Sequence, residues 1–563
     1  MHLLDGVRSR MVCIPVVHEV AAGIAVEYFN ECATGKRAFA LVTAGPGVSN
    51  IITAMSGAWL ESRELLVIAG QVKTADLASG GIRQRGIQEI DGVGLTRAIS
   101  KQSRRLEEPI GRDEFDSLVK DGRSARPGPI FIEVCLDVQG ASPIPDSPEV
   151  IQGQKSLSGF DDASISDKMK IVSEKISQST RPILLIGGGV RRSLIADIYP
   201  LLVSSGIPLM TTWNAADRVD ALLPTYLGRP NTWGQRSANL ILAQADLIVA
   251  VGTRLGLQQT GFNWREFGKN AFIVQVDIDP TELAKGHPRV DLGICCDSDV
   301  FMRQLLDMTS GELQSWLTYA RSIREALPLN DPMNETGERF ISPYEFFEQI
   351  SSIAQADDIL IPCSSGGANS SAMQTIVQKR GQYIVTSKGL ASMGYGLSGA
   401  IGASMAHPGR RTFLFEGDGG FAQNLQELAT VTVNNLRLKI FIFANNGYGS
   451  IRMTQKNYFG GAYLGCDVET GLGFPDWTKL FESFAIRSIT LDPDWSTNED
   501  VLESLNSSEA VAFIVPTDPL QTYWPKISSR IMPGGSMESN PLHLMSPELD
   551  EITYRSVSRF IRE

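Results

Sequence analysis

The apolar run Thr412 to Phe415 leads into Glu416-Gly417-Asp418-Gly419-Gly420-Phe421, and a second apolar run closes on Ala444-Asn445-Asn446-Gly447-Tyr448. Both read as strands that deliver polar groups at their carboxyl ends, where parallel α/β sheets bind ligands. Gly417, Gly419 and Gly420 let the backbone approach a bulky anion because no Cβ stands in the way. Mg²⁺ takes oxygen ligands in an octahedron and is commonly held by a carboxylate together with substrate phosphates. Asp418, the amide oxygen of Asn445 and a backbone carbonyl near Gly447 supply such a set. The interval between Asp418 and Asn445 accommodates a helix over 424–434 and a strand over 439–443, returning the chain beside its start. By itself G-D-G is a common turn; joined to the strands, the spacing and the Asn, it points to a phosphate-metal site.

A second candidate lies in Val16-Val17-His18-Glu19-Val20-Ala21-Ala22, read as a short strand turning into a helix whose apolar face includes Ala21, Ala25, Tyr28 and Phe29. Glu19 stands at the helix start. Two readings compete: an acid favoured there by the helix dipole, or a carboxyl placed to share a proton with a ligand.

Around these residues, short β-branched apolar runs alternate with helical stretches, as in 39–43, 65–69, 130–134, 183–186, 247–251, 273–276, 413–415 and 440–443. That alternation predicts parallel α/β sheets. At 563 residues the chain exceeds what one core usually supports. Polar breaks at Gly140 to Asp161 and Asn330 to Arg339 divide it into blocks 1–145, 165–325 and 340–530, with a Pro/Gly/Ser-rich tail over 531–563 expected on the surface. The first block opens directly at Met1-His2-Leu3-Leu4-Asp5, where a parallel α/β domain normally has already spent a strand and a helix.

Lys plus Arg total 51 against 63 Asp plus Glu, for a net charge of −12, and no basic block is present. Nucleic acid is therefore not an expected partner. No apolar run reaches the length of about 18 residues that a membrane helix needs, and no secretory leader is legible, so a cytoplasmic location is expected. The 7 cysteines form no C-x-x-C pair and read as reduced thiols. With only 5 histidines, the hard chemistry is expected to belong to a cofactor.

The G-D-G and N-N segments, with Gly447-Tyr448-Gly449-Ser450-Ile451-Arg452 after them, resemble the signature of thiamine diphosphate (ThDP)-dependent enzymes of the acetolactate synthase large-subunit type. Ala444 stands where that signature has its first Asn. The resemblance continues through Val17-His18-Glu19, Thr43-Ala44-Gly45-Pro46-Gly47, Ala69-Gly70-Gln71, Ile87-Gln88-Glu89, Arg126-Pro127-Gly128-Pro129 and Ser392-Met393-Gly394-Tyr395-Gly396, and so spans nearly the whole chain. It implies α/β architecture with three doubly wound parallel-sheet domains, pyrimidine-binding, central and diphosphate-binding, the first truncated at its N-terminus by about one strand-helix unit. On that basis either the start is misassigned or the chain is disabled.

For the site, the resemblance implies Mg²⁺ ligation by Asp418, Asn445 and the Gly447 carbonyl. It places Gly366, Gly367 and Ala368 in a loop at the diphosphate, with Gly417, Gly419, Gly420 and Tyr448 close by. Gly45 and Pro46 lie beside the cofactor, Met393 bends it, and the Ala391 carbonyl meets its 4′-amino group. Without the resemblance Met393 reads as core. Glu19 becomes the partner of the aminopyrimidine N1′, Gln88 orients substrate, and His18 packs or supports. The segments 186–190, 228–230 and 251–255 resemble a region that holds FAD in some relatives.

The implied activity is Mg²⁺-dependent decarboxylation of a 2-oxo acid such as pyruvate, with ligation of the two-carbon unit to an acceptor carbonyl, in a homodimer or homotetramer with sites at the subunit interface. Tyr448 to Gln455 departs from the Q-G-M-V-x-Q-W of acetolactate synthases. Together with the segments 83–89 and 540–547, it resembles homologues that pass the fragment to a nucleotide-bound 4-keto deoxysugar. A simple decarboxylase or oxidase, or an inactive ThDP-fold scaffold, stand as alternatives.

Overall fold

The computed structural model describes residues 2–142, 144, 162–308 and 313–561. It contains three parallel sheets with helices in the crossovers, the architecture expected from the alternation of apolar runs. In the first sheet the strand order is Ala40–Val42, Leu65–Gln71, Pro129–Cys135, Gln102–Leu106, with Leu65 opposite Pro129 and Gln71 opposite Cys135. Pro129–Cys135 is buried at every position, as a strand covered on both faces requires. The edge strand Gln102–Leu106 is polar and half-exposed, so no apolar run announces it.

The central sheet runs Leu209–Thr211, Pro182–Ile186, Leu247–Val251, Phe272–Asp277, Leu292–Cys295, placing the first strand in sequence second in space. This is a doubly wound order. In the third sheet Ile359–Ile361, Thr412–Gly417, Leu438–Ala444, Val511–Pro516 and Arg487–Thr490 lie side by side.

The chain gathers into two compact units. One comprises the described part of 1–156 with 358–365 and 385–516; the other comprises that of 157–357 with 366–384 and 517–563. Within the first unit, helices Glu19–Cys32 and Tyr395–Ala406 pack so closely that a Cβ on Gly402 would lie 2.0 Å from the Ala25 carbonyl oxygen. Within the second, Arg229 is fully buried and donates to the carbonyls of Met373 and Ile376 and to the Gln378 side chain.

Several local expectations change. Val16 and Val17 are not a strand, and the backbone N–H groups of Val17 and His18 donate instead to a side chain. The helix expected over 424–434 is a 3₁₀ turn, Leu425–Glu427, followed by the short helix Leu428–Val433. The tail is not confined to the surface. Leu542, Met545 and Val557 are buried, and Leu542 and Val557 join the apolar core of the second unit because their side chains have no other place to leave water. Most of the break expected over 140–161 lies outside the described residues. No helix among the described residues is long and apolar enough to cross a membrane.

Candidate active site

Strand Thr412–Gly417 ends at the short helix Asp418–Phe421, so Asp418 leaves the sheet at its carboxyl edge. The neighbouring strand Leu438–Ala444 ends just before Asn445, two strand ends that the spacing accommodates. Asp418 is buried and accepts from the Gly419 N–H at 2.8 Å and the Gly447 N–H at 3.2 Å. Burial pushes its carboxyl up to about 7 against the downward pull of those backbone donors. The Asn445 Oδ1 is buried and has no hydrogen-bond partner among the described residues.

An acid and an amide oxygen held ready in this way fit a hard cation. Among the described residues no three His, Cys, Asp or Glu side chains gather as a metal site.

Close packing explains two of the glycines. A Cβ on Gly419 would fall 2.2 Å from the Tyr448 ring, and one on Gly447 would fall 2.1 Å from the Cys466 carbonyl oxygen. Gly420 lies against Glu416, a buried carboxyl that desolvation pushes up to about 8 while the N–H groups of Gly396 and Leu397 pull it down. Gly417 meets nothing, so the backbone there stays open to an approaching group.

Glu19 opens helix Glu19–Cys32, and its Oε2 accepts from Asn50 Nδ2 at 3.0 Å. His18 caps that helix, its Nδ1 accepting from the Val20 N–H at 3.2 Å. The G-P-G segment begins helix Pro46–Glu61, with Pro46 in the first turn where its missing N–H costs nothing. A Cβ on Gly47 would come within 3.5 Å of Glu19 Oε1, and one on Gly45 within 2.3 Å of the Gln88 carbonyl oxygen. Tertiary structure thus brings Gly45, Pro46, Glu19 and Gln88 together from separate parts of the first domain. Gln88 has φ +59, a strained backbone held by Glu89, which accepts from the N–H groups of Ala78, Arg85 and Gly86.

Ala391, at φ +55, and Met393 lie on the turn into helix Tyr395–Ala406. Gln423 Nε2 lies 3.6 Å from the Met393 sulfur, and Asn424 Nδ2 donates to the Gly394 carbonyl at 2.7 Å. Glu427 is fully buried and accepts from the N–H groups of His18, at 2.9 Å, and Val17, at 3.3 Å. The segment 423–427 therefore touches the Met393 turn at one end and the approach to Glu19 at the other. Sequence reasoning missed Asn424, Glu427 and Glu416, because nothing in a single sequence marks which polar residues become buried joints.

Gly366, Gly367 and Ala368 form the first turn of helix Gly366–Thr375 in the second unit rather than a loop. Gly366 has φ +79, and Gly367 sits under Tyr523, where a Cβ would fall 2.3 Å from the ring. The glycine run of the central domain is likewise a packing feature. A Cβ on Gly187 would lie 2.2 Å from the Gly252 carbonyl oxygen, and the N–H groups of Gly187 and Gly189 donate to Val251 and Gly252.

This fold and these paired strand ends define a class. Residues 1–95, 169–305 and 365–515 match the thiamine pyrophosphate enzyme N-terminal TPP binding domain, central domain and C-terminal TPP binding domain. The chain belongs to the thiamine pyrophosphate enzyme family. It is 29% identical over 562 residues to a probable acetolactate synthase large subunit of Methanocaldococcus jannaschii, covering 97% of this chain and 92% of the relative. It is 30% identical to the acetolactate synthase large subunit of Cyanidium caldarium (84% and 80% covered) and 28% identical to the isozyme 2 large subunit of Escherichia coli (97% and 94%). This is a ThDP-dependent enzyme of acetolactate synthase-like type.

Proposed function

We propose that the protein decarboxylates a 2-oxo acid, pyruvate first among them, and joins the two-carbon unit to an acceptor carbonyl in a Mg²⁺-dependent reaction. The observation that carries this reading is the pairing of buried Asp418 with the unsatisfied Asn445 Oδ1 at adjacent strand ends. ThDP supplies the electron sink that decarboxylation needs. In this reading Asp418, Asn445 and the Gly447 carbonyl hold Mg²⁺, while Gly417, Gly419, Gly420 and Tyr448 line the diphosphate. Gly45, Pro46, Ala391 and Met393 hold the ring system, Glu19 keeps a proton at the aminopyrimidine, and Gln88 orients substrate. The corresponding domain limits are 1–145, 165–325 and 340–530.

Exposed apolar side chains beside both halves of this constellation, Val17 and Ile87 on one, Leu464 and Val468 on the other, support a homodimer or homotetramer with the site at the subunit interface. The segment Tyr448 to Gln455, with 83–89 and 540–547, supports a second reading of the acceptor, a nucleotide-bound 4-keto deoxysugar. FAD in the central domain rests on resemblance alone. Packing accounts for Gly187 and Gly189, and the Arg229 donors are already used, so no step is assigned to a flavin.

The test is CO₂ release from pyruvate with ThDP and Mg²⁺, with products identified by mass spectrometry. Acetolactate supports the first reading, and acceleration only by a keto-sugar nucleotide supports the second. Acetaldehyde or acetate regardless of acceptor would mean a simple decarboxylase or oxidase. Failure to bind ThDP with Mg²⁺ would overturn the enzyme reading.

Two further outcomes are expected. Asn445→Leu removes a buried oxygen that has no partner among the described residues, so the cofactor-free chain should keep or raise its melting midpoint, since leaving such a group unpaired costs about 1–3 kcal/mol. The rise in midpoint on adding Mg²⁺ and ThDP should shrink sharply in that variant; an undiminished rise would remove Asn445 from the ligand set.

The second concerns pH. Because the folded carboxyl of Asp418 titrates near 7, above its unfolded value, its contribution to stability is fully present below the unfolded value and is lost as pH rises through about 7. Glu416 acts with the same sign through about 8. Cation binding needs Asp418 ionised, so apparent Mg²⁺ affinity should fall about tenfold per pH unit below 7. Thermal shift with Mg²⁺ and ThDP at pH 6 and pH 8 checks this, and an equal shift at both would contradict it.

A further inference from the structure

We propose that Glu61 and Arg63, at the carboxyl end of helix Pro46–Glu61, are positioning residues that hold the turn carrying Ala391 and Met393. The proposal rests on the reading of that turn as facing the cofactor. Glu61 Oε1 accepts from the backbone N–H groups of both Lys388 and Gly389. Arg63 Nη2 donates to the Thr386 carbonyl at 2.8 Å. Three backbone groups in the four residues 386–389 are thus tied to the last residue of this helix and to Arg63 just beyond it.

The anchor is itself fixed. Arg63 is buried and pairs with the fully buried Glu27 at 2.8 Å, and Glu31 lies 3.8 Å away. Tyr395, one residue past Gly394, places its hydroxyl 3.3 Å from Glu27 Oε2 and packs against Gly57 of the same helix.

Independent of these bonds is the backbone of Ala391. A non-glycine residue at φ +55 is disfavoured and persists only where its surroundings over-determine it. The chain on either side of Ala391 is pinned: residues 386–389 by Glu61 and Arg63, Ser392 by the Ser364 hydroxyl on its carbonyl, and Gly394 by Asn424. The amino end of helix Pro46–Glu61 lies beside Glu19 and Gln88, so one helix sets the spacing between the G-P-G segment and the Met393 turn. Such a strut fixes two parts of a site that the sequence separates by more than three hundred residues.

The experiment compares Glu61→Gln, which keeps one neutral acceptor, Glu61→Ala, which keeps none, and Met393→Ala in the full-length chain. Hydrogen exchange of the peptide over 386–394 is followed without cofactor, together with the melting midpoint and the ThDP dependence of CO₂ release with Mg²⁺. Both Glu61 variants should exchange faster at the Lys388 and Gly389 amides. Apparent ThDP affinity should weaken roughly tenfold for Ala and less for Gln, as expected when charge-assisted hydrogen bonds are lost.

Should Ala fail to fold, Gln still reports. Faster exchange with unaltered ThDP dependence and turnover would overturn the positioning role. If Met393→Ala is impaired while both Glu61 variants behave as wild type, only this proposal falls. If Met393→Ala also binds and turns over normally, the reading of the turn as cofactor-facing fails, and the proposal with it.

Discussion

Glu19→Gln is expected to reduce turnover by about 10²–10⁴-fold, the usual span for loss of a positioned proton-transfer group. The substitution is nearly isosteric, and its neighbours predict that it is tolerated. Glu19 Oε2 accepts from Asn50 Nδ2 at 3.0 Å, a bond that a glutamine oxygen preserves. Helix Glu19–Cys32 keeps its His18 cap and loses only one acid from its first turn, worth about 0.3–1 kcal/mol in the helix dipole. Melting midpoint and ThDP-Mg²⁺ binding should therefore remain close to wild type while CO₂ release collapses. Wild-type turnover would strip Glu19 of the role and leave the dipole reading of its position.

Gly402→Ala is expected to destabilise the first unit by about 3 kcal/mol, at the upper end for overpacking a close interface. Intrinsic helix propensity argues the other way, favouring alanine by about 1 kcal/mol in a helix interior. The clash wins because the atom struck is backbone. The new Cβ would sit 2.0 Å from the Ala25 carbonyl oxygen and 2.8 Å from the Ala25 Cα, and a helix backbone cannot rotate aside as a side chain can. The helices must part, opening space beside Tyr28, whose ring already fills the gap left by Gly399. Gly473→Ala, in the same unit and where a Cβ meets nothing, is the control and should leave the midpoint unchanged. A Gly402→Ala protein melting with wild type would show that these helices do not pack as described.

Much of the fold was legible because parallel strands buried on both faces must be nearly continuous apolar runs. Leu247–Val251 coincides with its run, and Pro129–Cys135 and Phe272–Asp277 extend theirs by one residue at each end. The edge strand Gln102–Leu106 escaped notice for the complementary reason: an edge exposed to water can be polar. Val16 and Val17 misled in the opposite direction. Two β-branched residues suggest a strand, yet their neighbourhood offers Glu427 as a hydrogen-bond acceptor in place of a ladder.

What the sequence determined by itself is the local chemistry: an Asp and an Asn at the ends of adjacent strands, glycines where backbone must come close, and an acid at a helix start. Those features depend on residue type and short spacing, which a single chain records directly. The tertiary structure decided which separated segments meet. It set Gly45 against Gln88, Glu427 against the approach to Glu19, and Glu61 against Lys388 and Gly389, and it buried Asp418 and Glu416 far enough to move their titration. Burial and long-range contact are properties of the packed chain, since desolvation acts only when distant segments close over a group and exclude water.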